Sequence, residues 1–367
     1  MDLLLSKILW ICNLQSTIYN LQFLICALLL FGGARPVAAA TPCAETIVAA
    51  PPAITRAQVI SDTVQPASSM FVCRVDGAGT QADGSSTGTR SVTSTGLLLL
   101  VLARWLHFVG YALGFGTISF GLWATAALGE QPARMQRLWR LVNTGIVLLL
   151  CAEPLALLAQ TIGLQGALFD LAVAGDVLAS GFGLVWAQRI GVALLLWVLV
   201  GVAKDGTPRA LWAVPALGLV LAIVDGAASV AGTSLAALTI ASATLHEAAM
   251  GAWIGSLALL LALWNGLDRQ QRVAVLARFR QLSGTAIGVL ISTGVTLATM
   301  RLTQPIELFA TFYGATLVVK LLVALIAIGL AAFGQRMYRE IWRWRAALAA
   351  LIVMLGVAGL LVSLPSP

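Results

Sequence analysis

The amino-acid sequence predicts an all-α membrane protein whose chain crosses the bilayer about eight times. Of its 367 residues, 59% are hydrophobic and only 10% are charged, whereas a soluble globular domain carries about 25% charged residues. The apolar residues also gather into runs that are each about long enough to cross a hydrocarbon core of ~30 Å. A soluble fold could not hide this much apolar surface, because a large part of any folded chain stays exposed to solvent.

Eight apolar runs define the predicted spans, which we number from the first to the eighth along the chain. The first and fifth runs are long enough to tilt or to protrude from the bilayer. The runs lie at 97–127, 140–162, 183–203, 209–228, 238–264, 279–300, 310–333 and 346–364.

The short loops between the spans predict the orientation of the chain. The loops after the first, third, fifth and seventh spans, with their flanks, carry thirteen Lys and Arg residues, whereas the alternate loops carry mainly Arg301. The net charge of +7 is therefore typical of the positive-inside rule and does not indicate nucleic-acid binding. We expect residues 41–96 and the C-terminus to be extracytoplasmic.

The first forty residues have the pattern of a secretory signal peptide. Lys7 precedes a short apolar core at 21–31, and small residues follow at 36–40, as at a signal-peptide cleavage site. The region before the core is long and weakly basic, so an uncleaved amphipathic anchor at 1–40 is the alternative.

Residues 41–96 predict a small extracytoplasmic segment ahead of the membrane domain at 97–367. Its two cysteines, Cys43 and Cys73, are expected to form a disulfide outside the cytoplasm, with two free thiols as the alternative. The stretch from Gly77 to Gly96 is rich in Gly, Ser and Thr, which is typical of a flexible tether.

An internal repeat relates the first span to the fifth. Leu106-His107 is followed nine residues after the histidine by Gly116, and Leu245-His246 is followed at the same spacing by Gly255. Coincidence among apolar sequences is the alternative. If the repeat holds, His107 and His246 occupy equivalent positions and could face each other across an axis.

The third and seventh spans match in the same way. Phe182-Gly183 precedes Arg189 by the spacing with which Tyr313-Gly314 precedes Lys320. Two four-helix halves must then point the same way through the membrane. This predicts a parallel repeat about a pseudo-twofold axis along the membrane normal.

Ionisable residues within the spans gather in the outer half of the bilayer. Such residues are costly in lipid and are usually functional or paired. Their placement predicts a polar pocket that opens outward. They are Arg104, His107, Glu153, Arg189, Asp225, His246, Glu247 and Lys320.

A metal site is one interpretation of these residues. His246 and Met250, four residues apart, can present an imidazole and a thioether to one point, a donor set that suits Cu(I), and imidazole also suits Cu(II). His107 would complete a three-ligand site, and Cys151 could join if its helix face turns inward. The alternatives are an interhelical hydrogen bond for each histidine and simple packing for the methionine.

The charges around this site leave its ligand open. The cations Arg104, Arg189 and Lys320 would repel copper unless acidic residues offset them, because buried charges must be paired. The acids that could do so are Glu153, Asp225 and Glu247. The same balance would also suit an anionic group in the pocket, such as the propionates of a haem.

Several short motifs, taken in this order, resemble the copper-resistance protein D (CopD) family. The resemblance covers roughly residues 97–367 and implies an eight-helix inner-membrane protein that handles copper, with a role for both histidines. The motifs are Arg104-Trp105-Leu106-His107-Phe108-Val109-Gly110, Leu245-His246 with Gly251-Ala252-Trp253-Ile254-Gly255, Thr311-Phe312-Tyr313-Gly314 with Lys320, and the ending Gly359-Leu360-Leu361-Val362-Ser363-Leu364-Pro365.

Two features depart from that family. Gly255-Ser256 stands where the family has Gly-Gly, and residues 41–96 contain no histidine and only Met70. Members of the family often work beside a periplasmic copper-binding partner, or are fused to one. We therefore expect any copper donor here to be a separate protein.

The leading functional hypothesis is a membrane protein that moves copper through a His/Met site. A haem b-binding subunit is the first alternative, because two histidines from separate helices are the axial ligands such a site needs. A structural subunit of a larger membrane complex is the second. An enzyme is not expected, since the chain has no Walker motif, no H-E-x-x-H and no Gly-x-Ser-x-Gly.

Overall fold

The computed structural model describes residues 94–128, 132–165, 170–204, 208–228, 235–302, 304, 306–336 and 341–363. Within these residues the regular structure is helical, without strands, and eight helices are long and apolar enough to cross a membrane. The all-α, eight-span fold is thereby confirmed. The predicted signal peptide and the Cys43–Cys73 disulfide lie outside the described residues.

The eight spans occur where the apolar runs predict them. They are Thr95–Ala124, Ala133–Leu164, Gly181–Lys204, Arg209–Ala228, Ala236–Gly266, Arg269–Arg301, Phe312–Ala331 and Ile341–Ser363. We call the membrane side at which Ser94 lies the Ser94 side. The odd-numbered spans begin there and the even-numbered spans end there.

Two helices begin well before the predicted spans, at their arginine-rich ends. The helix of the second span is Pro132–Gln165 and that of the sixth is Arg269–Arg301. Arg and Gln are good helix formers even in water. At the sixth helix a capping box also fixes the first turn: the Asp268 carboxylate accepts from the Gln271 backbone N–H at 2.8 Å, and the Asp268 N–H donates to the Gln271 side chain.

Two short helices occupy connections that were predicted as loops. Leu171–Ala179 precedes the third span, and Glu307–Ala310 precedes the seventh. The Asp170 side chain caps the first of them by accepting from the Ala172 backbone N–H at 2.8 Å.

The first and fifth spans cross in backbone contact. A Cβ placed on Gly116 would collide with the backbone of Gly251, and one placed on Gly255 would collide with the backbone of Ala112 and Gly116. Only glycine permits helices to approach this closely. Gly116 and Gly255 are the glycines at equivalent positions of the predicted repeat, and each contacts the backbone of the opposite span.

Glycines spaced four residues apart, an arrangement typical of close helix crossings, differ between the first and sixth spans in what they contact. Gly110 lies against the Gly145 carbonyl of the second span, where a Cβ would come within 2.9 Å of that oxygen. Gly284 and Gly288 of the sixth span, by contrast, have nothing within 4 Å of a Cβ. Glycine spacing shows that a helix has a face without bulky side chains, but it does not show whether a neighbouring helix packs against that face.

A π-helical turn interrupts the first span at Ala112–Gly116. Four of its five residues are buried, and it includes the glycine at which the fifth span crosses. Single π turns inside α-helices occur frequently at functional sites. This one begins five residues after His107.

Candidate functional site

His107 lies at the centre of a buried cluster of acidic side chains from three other spans. Its Nδ1 lies 2.9 Å from Glu153 Oε1 of the second span, and its Nε2 lies 2.9 Å from Asp225 Oδ2 of the fourth. Glu247 Oε1 of the fifth span is 3.9 Å from the same Nε2. The exposed fraction of these four side chains is 10% or less.

Arg189 of the third span completes this group. Its Nε donates to Asp225 Oδ1 at 2.5 Å, so the Asp225 carboxylate bridges a guanidinium and an imidazole. Trp186, one turn before Arg189, donates its indole N–H to the Glu153 backbone carbonyl at 2.8 Å. We call His107, Glu153, Arg189, Asp225 and Glu247 the His107 cluster.

The cluster contains three acidic side chains against two basic ones, Arg189 and His107. Both ring nitrogens of His107 face carboxylate oxygens. Both contacts are hydrogen bonds only if the ring carries two protons or one of the acids is protonated. Two further oxygens, Glu153 Oε2 and Glu247 Oε1, are buried without a hydrogen-bond partner. Buried carboxylate oxygens without partners are costly, so the cluster is suited to a cation.

Three residues of the cluster can direct ligand atoms to one point. One atom each from His107, Asp225 and Glu247 lie within 4.8 Å of one another. The hydrogen bond from Nδ1 to Glu153 orients the imidazole and leaves Nε2 on the side of the two other acids, which is the outer-shell arrangement typical of metal-binding histidines.

The structure does not bring His246 into this cluster. Its Nδ1 lies 3.0 Å from Thr293 Oγ1 of the sixth span, and its ring packs beside Gly294. The next residue, Glu247, points instead toward His107. Successive residues of an α-helix are about 100° apart around the axis, so these two neighbours contact different spans.

His246 nevertheless repeats the local geometry of His107. In each half, the histidine Nδ1 contacts a side-chain oxygen on the following span, at 2.9 Å for Glu153 and 3.0 Å for Thr293. The two partners are separated by 46 residues in the first half and 47 in the second. Thr293 was not among the predicted site residues, although this near-equal spacing indicates it.

The other predicted site residues lie outside the His107 cluster. Met250 is buried in the apolar core, and Cys151 is exposed on the bundle surface rather than turned inward. Lys320 interacts electrostatically with His246 and not with the acids of the cluster. Arg104 lies within electrostatic range of Arg189 and Asp225.

A cavity of about 240 Å³ lies beyond the cluster on the side away from Ser94, and none of its lining residues belongs to the cluster. The first, fourth and fifth spans line it with residues that include Tyr111, Phe115, Gly218 and Ala248. Tyr111 lies one turn beyond His107 and donates its hydroxyl to the Gly218 carbonyl at 3.1 Å. Nothing in the sequence pattern indicated Tyr111 as a site residue.

Comparison with known families agrees with the resemblance in the first half of the chain, and the motifs after residue 234 lie outside the match. Residues 93–234 match the family model described as "Copper resistance protein D-like, N-terminal domain". The match covers the first four spans and ends just before the fifth, at the boundary between the two predicted repeats. No curated protein and no solved structure matches the chain.

Proposed function

We propose, from the similarity of residues 93–234 to the copper resistance protein D-like N-terminal domain, that this membrane protein binds copper ions at the His107 cluster and passes them through the bilayer. One observation carries the proposal. Ligand atoms of His107, Asp225 and Glu247 lie within 4.8 Å of one another, deep among helices that are otherwise apolar.

The donor set favours one oxidation state of copper. An imidazole nitrogen with carboxylate oxygens suits Cu(II), whereas Cu(I) prefers sulfur ligands such as thiolate and thioether. Asp225 and Glu247 would neutralise the charge of the ion, and Glu153 would hold the ring. The softer site of His107, His246 and Met250 stays a prediction, because no described contact joins these three residues.

The position of the cluster supports a path across the membrane. The cluster lies toward the Ser94 side, and a cavity lined by the first, fourth and fifth spans lies beyond Tyr111 on the opposite side. We propose that the Ser94 side is extracytoplasmic in the inner membrane, since the arginine-rich connections lie at the other side. A separate extracytoplasmic copper-binding protein would then exchange copper at the Ser94 side, and no enzymatic step is needed.

Metal content tests this proposal directly. Purified protein in detergent would be loaded with Cu(II), desalted and analysed by mass spectrometry, together with His107→Ala and the matched control His246→Ala. We expect the wild type and His246→Ala to retain copper and His107→Ala to lose most of it, because only His107 faces the acids.

Other outcomes of the same experiment have clear meanings. Equal copper loss in both variants would support the two-histidine site predicted from sequence and contradict the His107 cluster. Iron with a Soret absorption band would contradict copper and support haem b. A wild type that retains no copper would contradict a stable copper site at His107. The alternative of a structural subunit in a larger membrane complex would then be favoured.

A further inference from the structure

A second group of ionisable residues in the bundle carries only positive charge. It consists of Arg104 in the first span, Arg301 at the end of the sixth and Lys320 in the seventh. Arg104 and Lys320 each lie within electrostatic range of Arg301, whose guanidinium is 5.9 Å from the Tyr313 ring centre. We call these three residues the basic group. Among the described residues, none of the three forms an ion pair with an acid.

The predicted repeat relates Lys320 to Arg189, which does have an acidic partner. Its equivalent, Arg189, binds Asp225, which lies 36 residues further along the chain. The residue 36 positions beyond Lys320 is Gly356, and the eighth span contains no Asp or Glu at all. The sixth and seventh helices also contain none. The second half therefore keeps the cation of the first half without its carboxylate.

Arg104 is similarly short of partners. Its Nη1 is buried without a hydrogen-bond partner. Within the described residues, the one acid in its electrostatic range is Asp225, whose oxygens already contact Arg189 and His107. A buried guanidinium nitrogen without an acceptor costs free energy, and an acceptor supplied by a ligand would remove that cost.

We propose that the basic group binds a phosphate group at the Ser94 side of the bundle. Guanidinium groups match phosphate oxygens in charge and geometry, and an ammonium adds a further donor. Arg301 ends its helix at the membrane boundary, where lipid phosphates lie, and the long side chains of Arg104 and Lys320 can extend toward that boundary. The phosphate belongs either to an anionic lipid headgroup or to a free ion.

Binding to the full-length, delipidated protein in detergent tests the proposal. The two probes are a soluble short-chain phosphatidylglycerol and inorganic phosphate, each titrated by calorimetry. Lys320→Met is the variant. Lys204→Met is the matched control, because Lys204 is exposed on the opposite side and donates to Asn143. We expect Lys320→Met to weaken binding by about tenfold or more, Lys204→Met to leave it unchanged, and Lys320→Arg to retain it.

The two probes separate the sources of the phosphate. Binding of the lipid alone identifies a headgroup site, and binding of inorganic phosphate alone identifies a free-ion site. The proposal is overturned if the wild type binds neither probe, or if Lys320→Met binds as well as the wild type. If Lys320→Met does not yield folded protein, Arg301→Gln at the helix end replaces it, with the same expected loss. Because the basic group and the His107 cluster share no residue, the copper measurement is independent of this one.

Discussion

The two halves of the bundle place a histidine at the same position and surround it with opposite charges. His107 contacts Glu153 and Asp225, with Glu247 close by, whereas His246 contacts the neutral Thr293 and lies in range of the cation Lys320. The contact from Nδ1 to the next span is nevertheless the same in both halves. The two halves therefore position their histidines alike. The side chains on neighbouring spans, acidic around His107 and neutral or basic around His246, determine which ligand each histidine can bind.

The largest expected effect is on stability, from removing the acid that only the first half has. Asp225→Ala removes the partner of Arg189 Nε and of His107 Nε2, and breaking a buried ion pair from one side costs about 3–5 kcal/mol. Lys320→Met removes a cation that has no such partner, so we expect no loss of stability. Denaturant unfolding of both purified variants measures this difference. Equal losses would show that Lys320 is paired as Arg189 is.

A second comparison concerns the residue that contacts each histidine Nδ1. Glu153→Gln removes the carboxylate that orients His107, and loss of such an outer-shell partner typically lowers metal affinity by about 10- to 100-fold. Thr293→Val removes the matching contact in the second half, and we expect copper affinity to stay unchanged. Competition with a calibrated copper chelator measures both. A comparable loss in Thr293→Val would place His246 in the copper site.

The smallest expected effect concerns the feature that both halves share. Gly116→Ala and Gly255→Ala each force a methyl group into the backbone of the opposite span, and overpacking of this kind costs about 1–3 kcal/mol. Gly284→Ala is the control, since nothing lies within 4 Å of its Cβ. Thermal unfolding in detergent would reveal similar losses for the first two and none for the third. A loss in only one of the pair would contradict the symmetrical crossing.

Hydropathy was sufficient to predict the number and order of the spans, because the bilayer imposes both length and apolarity on each crossing. It could not locate the helix ends. Asp268 and Gln271 form a capping box that starts the sixth helix before its apolar part begins. Hydropathy does not detect this local hydrogen bonding. The short helix Leu171–Ala179 was missed for the same reason.

The candidate site was predictable in composition but not in pairing. The acids around His107 were recognised because charges inside a membrane are rare and need partners. Which of them meet depends on the rotation of each helix, which an apolar pattern with little amphipathicity does not fix. One signal was present: His246 and Glu247 are adjacent, so their side chains could not both face the first span.

The π-helical turn at Ala112–Gly116 determines how the residues after it are rotated about the helix axis relative to the residues before it. Each residue added to or removed from a helix rotates everything beyond it by about 100° relative to the part before. The turn therefore fixes the rotation of Gly116, its last residue, toward the fifth span relative to His107, which faces the acids from the α-helical part before it. Removing a single residue from it would preserve the composition and hydropathy of the span, yet these two contacts could no longer form together.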